Sequence, residues 1–289
     1  MSTSPYPSSV LVSPDWVADR LDRFESADPG YRLLEVDVNT SFYDYGHAPG
    51  AVKIDWETDL RSDDYHDIVG PTELEQLLGS CGITDETTVV VYGDDSNWFA
   101  AHMYWQLTYY GHPDVRIMDG GRGYWVDHDY PLSREPVTPP TVSYGRSLSP
   151  PANPSVRASR EEVLDAIETD TTFIDVRLPE EYRGDITAPP GMNEMAMRGG
   201  HIPGAENVFW ADNIRPDMRF KPPAKLREVY RSRGIEPSED IIVYCRIGER
   251  SSLTWFALSE LLGYESVRNY DGSWTEWGNM IGMPIETSE

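Results

Sequence analysis

Val89-Val90-Val91-Tyr92-Gly93 and, 152 positions later, Ile241-Ile242-Val243-Tyr244-Cys245 are the stretches on which the fold is read. Each is a short β-branched run closing on a tyrosine, the pattern of a strand buried on both faces. The same offset of 152 carries Gly82-Ile83 onto Gly234-Ile235, Asp119-Gly120 onto Asp271-Gly272, and Trp125 onto Trp277. Upstream, His47-Ala48-Pro49-Gly50-Ala51 recurs as His201-Ile202-Pro203-Gly204-Ala205 at an offset of 154, and Val36-Asp37-Val38 as Ile174-Asp175-Val176 at 138. The chain is therefore a tandem repeat, and the step from 138 to 154 puts an insertion of about sixteen residues between Arg183 and Gly200 of the second copy.

Outward from those strands, each copy alternates short apolar runs with amphipathic helices. Ser159-Arg160-Glu161-Glu162 is a capping box that predicts a helix through Ile167, ahead of a strand over Thr172–Val176. Ser13 before Pro14 predicts the corresponding helix start in the first copy. Helical spacing from Ser251 to Leu262 stops at Gly263. Such alternation implies an α/β chain of two domains, each a mainly parallel sheet with helices on both faces. Residues 135–154 hold six prolines and little apolar periodicity, and are expected to link a domain over 1–134 to a second over 155–289.

Composition narrows the function. The formal charge of −25, with three lysines among the 24 cationic residues, disfavours nucleic acid and anionic membranes as partners and suits a salt-rich cytoplasm, where screening removes self-repulsion. With no run of eighteen apolar residues and no signal-peptide pattern, the expected location is cytoplasmic. Two cysteines, Cys81 and Cys245, fall in different halves, against a disulfide framework or a cysteine-rich zinc site.

Cys245 follows a buried strand and precedes a helix, the place where ligands bind in an open parallel sheet. Loop amides and the helix dipole there favour an anion, and with Arg246 and Arg250 they are expected to make a local island of positive charge that lowers the thiol's pKa from its free value of about 8.5. Cys81, in Leu78-Gly79-Ser80-Cys81-Gly82 at a helix end, is expected to be structural. Gly93 stands where the second copy has Cys245, and Asp94 and Asp95 follow it, so the first copy is expected to do no chemistry. His47 and His201 precede Pro-Gly turns in both copies, which points to a turn-forming role. Asp175, at a strand end, could orient the loop, although its twin Asp37 makes a structural role as natural.

The paired His-X-Pro-Gly-Ala motifs, Cys245 with its loop, and Val267-Arg268-Asn269-Tyr270-Asp271-Gly272-Ser273-Trp274-Thr275-Glu276-Trp277 together resemble the two-domain rhodanese (thiosulfate sulfurtransferase) family over nearly the whole chain. The loop from Cys245 to Arg250 resembles that of its actinobacterial and archaeal members. The resemblance implies that Cys245 takes the outer sulfur of thiosulfate, releases sulfite, and passes the persulfide sulfur to cyanide or a thiol, with no metal or organic cofactor. It also implies that Arg246, Ile247, Gly248, Glu249, Arg250 and Ser251 bind the substrate, and that Trp98 and Phe99 match aromatics that line a cleft. Basic Arg246 favours thiosulfate over 3-mercaptopyruvate. One departure stands out: the family often has an arginine at the place of Glu181, and Arg183 or Arg198 is expected to supply that charge.

Two alternatives remain beside this reading. A persulfide carrier with slow turnover would use the same cysteine. Cysteine-dependent phosphatases place arginine six residues after the nucleophile, whereas here Arg250 is five after, which makes the loop too tight for phosphate.

Overall fold

The computed structural model describes residues 6–7, 9–27, 30–62, 67–191 and 195–288, and the middle of the insertion, 192–194, lies outside them. The chain divides into two compact units. One comprises Met1–Pro154 with Pro216–Phe220, the other Ser155–Arg215 with Lys221–Glu289.

In the first unit β1 (Leu11–Val12), β2 (Tyr31–Asp37), β3 (Ala51–Asp55), β4 (Thr88–Tyr92) and β5 (Val115–Met118) form one parallel sheet in the order β1-β5-β4-β2-β3. Every residue of β4 is buried, as expected of a central strand covered on both faces. The helix after Ser13 covers Pro14–Ala18, and the Ser13 hydroxyl accepts the Trp16 N–H at 3.1 Å.

In the second unit β6 (Thr172–Asp175), β7 (Glu206–Asn207), β8 (Ile241–Tyr244) and β9 (Val267–Tyr270) form a parallel sheet in the order β7-β6-β8-β9. Alternation along the strands sends Phe173, Ile242, Tyr244 and Tyr270 to one face, where they pack with Val163, Ala166, Trp274 and Trp277. The capping box closes on the helix Arg160–Ala166 as its sequence requires. The helix Glu249–Phe256 packs on β8 and β9, with the Trp255 indole N–H donating to the Val267 carbonyl at 2.9 Å.

Three local features differ from the sequence expectation or add to it. The helix after Cys245 starts at Glu249 rather than Ser251, because Gly248, at φ +97°, serves as its cap. The Ser251 and Ser252 hydroxyls lie inside the first turn and donate back to the Gly248 carbonyl, at 3.0 and 2.8 Å. Past Phe256 the helix widens into a π turn over Ala257–Leu261 before the Gly263 stop. The proline-rich stretch 135–154, expected as a linker, has no strand and no helix before the 3-10 turn that begins at Pro154, yet it buries Tyr144 and Leu148 and pairs Val142 N–H with the Gly79 carbonyl at 3.0 Å.

Candidate active site

Cys245 is the first residue beyond β8, and hydrogen bonds from the segment after β9 fix its backbone. Its N–H donates to Ser273 Oγ at 3.1 Å, and its carbonyl accepts the Trp274 N–H at 3.1 Å. The next carbonyl, of Arg246, accepts both the N–H and the hydroxyl of Thr275 at 3.0 Å. Ser273 sits at φ +52°, an uncommon conformation for a serine, and its hydroxyl also donates to the Tyr270 carbonyl at 2.7 Å. The signature after β9 is thus a brace for the loop.

The loop closes over the sulfur. Gly248 N–H donates to Cys245 Sγ at 3.1 Å, as a cradle of backbone donors should. On the other side Sγ lies 3.4 Å from Glu249 Oε2. Cys245, Arg246, Gly248, Glu249, Arg250 and Ser251 are all buried, and Ile247 is half-buried. Asn269 reaches in from β9, donating to Ser252 Oγ at 2.9 Å.

The expected island of positive charge is not there. Arg250 grips Glu181 through both terminal nitrogens, at 2.9 and 3.2 Å, and its Nε lies 3.6 Å from Glu249 Oε1. Arg250 is therefore set between two carboxylates, Glu181 and Glu249. Burial, first, and then the Glu249 carboxylate push the Cys245 thiol above its ordinary value, against a downward pull from Arg250 and Ser251. This corrects the lowered pKa expected from the loop's arginines and helix dipole: in the closed loop, desolvation and a neighbouring carboxylate outweigh them.

The substitutes for the missing family arginine are occupied elsewhere. Arg183 pairs with Asp185 at 2.8 Å and Glu180 at 3.8 Å in a partly exposed position. Arg198 donates to the carbonyls of Gly278, Met283, Trp277 and Met280, tying the insertion to the end of the chain. The buried cation that the sequence reading missed is Arg177. It holds Asp175 at 2.6 Å, donates to the Gly200 carbonyl at 2.6 Å, and lies 4.4 Å above the Trp274 ring. A signal was present: at an offset of 138 the first copy has Asn39 in its place, while the aspartate is shared.

The other singled-out residues have local partners. His47 and His201 repeat one arrangement, each Nδ1 2.9 or 2.8 Å from the carbonyl of a tyrosine (Tyr43, Tyr182) on which its ring stacks at 3.7 Å. That is a turn lock. Phe99 is buried 5.0 Å from the Trp56 ring, and Trp98, half-buried, opens the helix Trp98–Tyr110. Burial raises Cys81 to about 11, as suits an inert thiol. Among the described residues no group of three or more His, Cys, Asp or Glu is arranged to hold a metal ion, and no helix is long and apolar enough to cross a membrane.

In the first copy, Gly93 N–H donates to Asn97 Oδ1 at 2.9 Å, and Asp94 N–H to Asp37 Oδ1 at 2.6 Å. A side chain on Gly93 would meet the Val36 carbonyl at 2.3 Å. This loop has no room for a nucleophile.

A doubled parallel α/β unit, with one copy presenting a cysteine to an amide at a strand-to-helix loop, defines a class of cysteine-centred sites. A model of the family described as Rhodanese-like domain matches residues 13–128 and again 159–280, so the chain belongs to the rhodanese family, with two copies of its domain. It is 54% identical over 286 residues, 99% of each chain, to a Haloferax volcanii protein named "Putative thiosulfate sulfurtransferase". It is 48% identical over 97% of each chain to "Sulfur carrier protein TtuD" of Thermus thermophilus. Among solved structures, wild-type EanB superposes with a TM-score of 0.84 at 26% identity, covering 97% of this chain and 70% of that one. A structure of a single-substitution variant of that protein holds ergothioneine covalently linked with a persulfide cysteine, at 27% identity and a TM-score of 0.84, over 96% of this chain and 70% of that one.

Proposed function

We propose that the protein is a sulfurtransferase that takes the outer sulfur of thiosulfate onto Cys245 and passes it from the persulfide to cyanide or a thiol. The observation that carries the reading is the Gly248 N–H aimed at Cys245 Sγ from 3.1 Å, inside a loop that ends on a helix start. A donor so placed stabilises the Cys245 thiolate that attacks the outer sulfur of thiosulfate, from which sulfite leaves. Arg246 and the half-buried Ile247 follow Cys245 directly in the loop, and Ser251 adds a further hydrogen bond to the sulfur. The exchange needs only the thiol and the donor's own sulfur, so the reading includes no metal or organic cofactor. The relatives' names support sulfur transfer in general, and the choice of thiosulfate rests on Arg246.

The test is thiocyanate formation from thiosulfate and cyanide at high salt, which Cys245→Ser should abolish. Faster reaction with 3-mercaptopyruvate would overturn the choice of donor. A second reading, a persulfide carrier, is favoured by the relative named a sulfur carrier and by the complete enclosure of Cys245. One persulfide per chain formed without turnover would establish it.

A further inference from the structure

With the loop closed, an enclosed thiol cannot hand its proton to bulk water. Cys245 is fully buried, and on this reading its sulfur must be a thiolate when it attacks, so the proton needs a destination within the loop. The acceptor that Sγ meets is Glu249 Oε2, at 3.4 Å. We propose, resting on the sulfurtransferase reading above, that Glu249 is a catalytic residue that takes the Cys245 proton during sulfur transfer and returns it afterwards.

The surroundings fit that role. Glu249 is buried one helical turn after the thiol, and its other oxygen is held 3.6 Å from Arg250 Nε, while Arg250 is in turn anchored by Glu181. The carboxylate is therefore aimed at the sulfur and kept from swinging into solvent. Gly248 N–H and Ser251 are directed at the sulfur, and Asp271, beside Gly248, is bound to Arg157 at 2.8 Å.

The silent copy supplies an independent comparison. At an offset of 152, Glu249 becomes Asn97 just as Cys245 becomes Gly93. There the side-chain oxygen accepts the Gly93 N–H at 2.9 Å, and Asn97 Nδ2 donates to the Met118 carbonyl at 2.9 Å. A neutral amide is enough to close the loop. The carboxylate stands in the copy that has a thiol.

The step balances. The S–H proton moves to Glu249, and the thiolate's electron pair forms the bond to the outer sulfur of thiosulfate. The bond to the sulfonate sulfur breaks with its pair leaving on sulfite, and Glu249 returns the proton to the new persulfide. Thiol and thiosulfate become persulfide and sulfite without an external oxidant.

The test is Glu249→Gln in the full chain at high salt, with two readouts across pH: single-turnover sulfite release from thiosulfate, and the ultraviolet absorbance of the Cys245 thiolate against a Cys245→Ser blank. The expected result is a split. Sulfite release falls by about a hundredfold or more, the low end of a lost general base, while the thiolate appears at lower pH because a neighbouring negative charge is gone. A residue that only shaped the loop would not move the two in opposite directions. Sulfite release within about threefold of wild type, or a fall in both, overturns the proposal. Should the glutamine variant fail to fold, Glu249→Asp, which keeps the charge but withdraws it from the sulfur, carries the test: slower release supports the role, and an unchanged rate overturns it. A wild-type protein that releases no sulfite sinks the thiosulfate reading instead; glutathione persulfide then serves as donor, and glutathione release replaces sulfite as the readout for Glu249.

Discussion

Arg250 and Glu181 form a two-pronged ion pair closed to solvent, with Nη1 2.9 Å from Oε2 and Nη2 3.2 Å from Oε1. An arginine expected from the family is thus replaced by a carboxylate that receives an arginine from the Cys245 loop. The pair hinges the segment after β6 to the first turn of the helix that follows β8.

Removing one partner leaves the other as an uncompensated buried charge. Glu181→Gln should lower stability by about 3 kcal/mol or more, read from denaturant midpoints at neutral pH. Burial pushes the Glu181 carboxyl up, but the hydrogen bonds and charge of Arg250 outweigh it and hold the group below the usual carboxylate range. A depressed folded value means that the stabilisation is present above the unfolded pKa of about 4.3 and is lost as pH falls through the lower folded one. The gap between wild type and variant should therefore narrow in acid; a gap independent of pH would contradict this account.

Gly248→Ala tests the loop's backbone. At φ +97° an alanine costs about 1–2 kcal/mol, and its Cβ would come within 2.9 Å of the Asp271 carbonyl oxygen. Relief of that contact must move the Gly248 N–H off the sulfur. The variant is expected to keep its far-ultraviolet circular dichroism, melt at a lower temperature, and form persulfide at least tenfold more slowly, the loss of about one charge-assisted hydrogen bond.

Gly93→Cys asks whether the first copy can be reawakened. The new Cβ would lie 2.3 Å from the Val36 carbonyl and 2.8 Å from Asp37 Oδ1, so the loop must give way, at a cost of about 1–3 kcal/mol. In a Cys245→Ser background the variant should yield no thiocyanate from thiosulfate and cyanide. Measurable turnover there would show that the first loop is a cradle lacking only its sulfur.

Glu35 provides a pH signature in the first unit. Burial is the main cause that raises its carboxyl from 4.5 to about 7, offset in part by the Tyr92 hydroxyl, which donates to it, and by Arg122 Nε 3.5 Å away. A raised folded value contributes stability below pH 4.5 that is lost as pH climbs through about 7, a swing of roughly 3 kcal/mol. Glu35→Gln should flatten that part of the pH–stability curve. An unchanged curve would show that Glu35 is ionised throughout.

Strand positions, the duplication and the strand-to-helix setting of Cys245 were legible because each rests on local pattern. Ile241–Tyr244 is a strand over the range its apolar run marks, and Ser159 caps the helix its box announces. The electrostatics of the site were not legible in the same way. Arg246 and Arg250 read as an anion cradle from their proximity to Cys245, but Arg250 is held by Glu249 in the same loop and by Glu181, sixty-nine positions away from it. Pairing across that distance is set by how β6 lies beside β8, which no window of sequence contains. Glu249 itself was read as loop, and the start of the helix two residues early turns it toward the sulfur.

The seclusion of Cys245 bears on timing. On the proposed reading, a sulfur loaded onto a side chain with no exposed surface is as sheltered from passing oxidants and bulky thiols as the thiol was. How long the charge of sulfur lasts then depends on how often the loop parts, and acceptors will sort by whether they can slip through that opening. Cyanide, a two-atom probe, would register the chemistry, whereas a protein thiol would register the breathing of the gate.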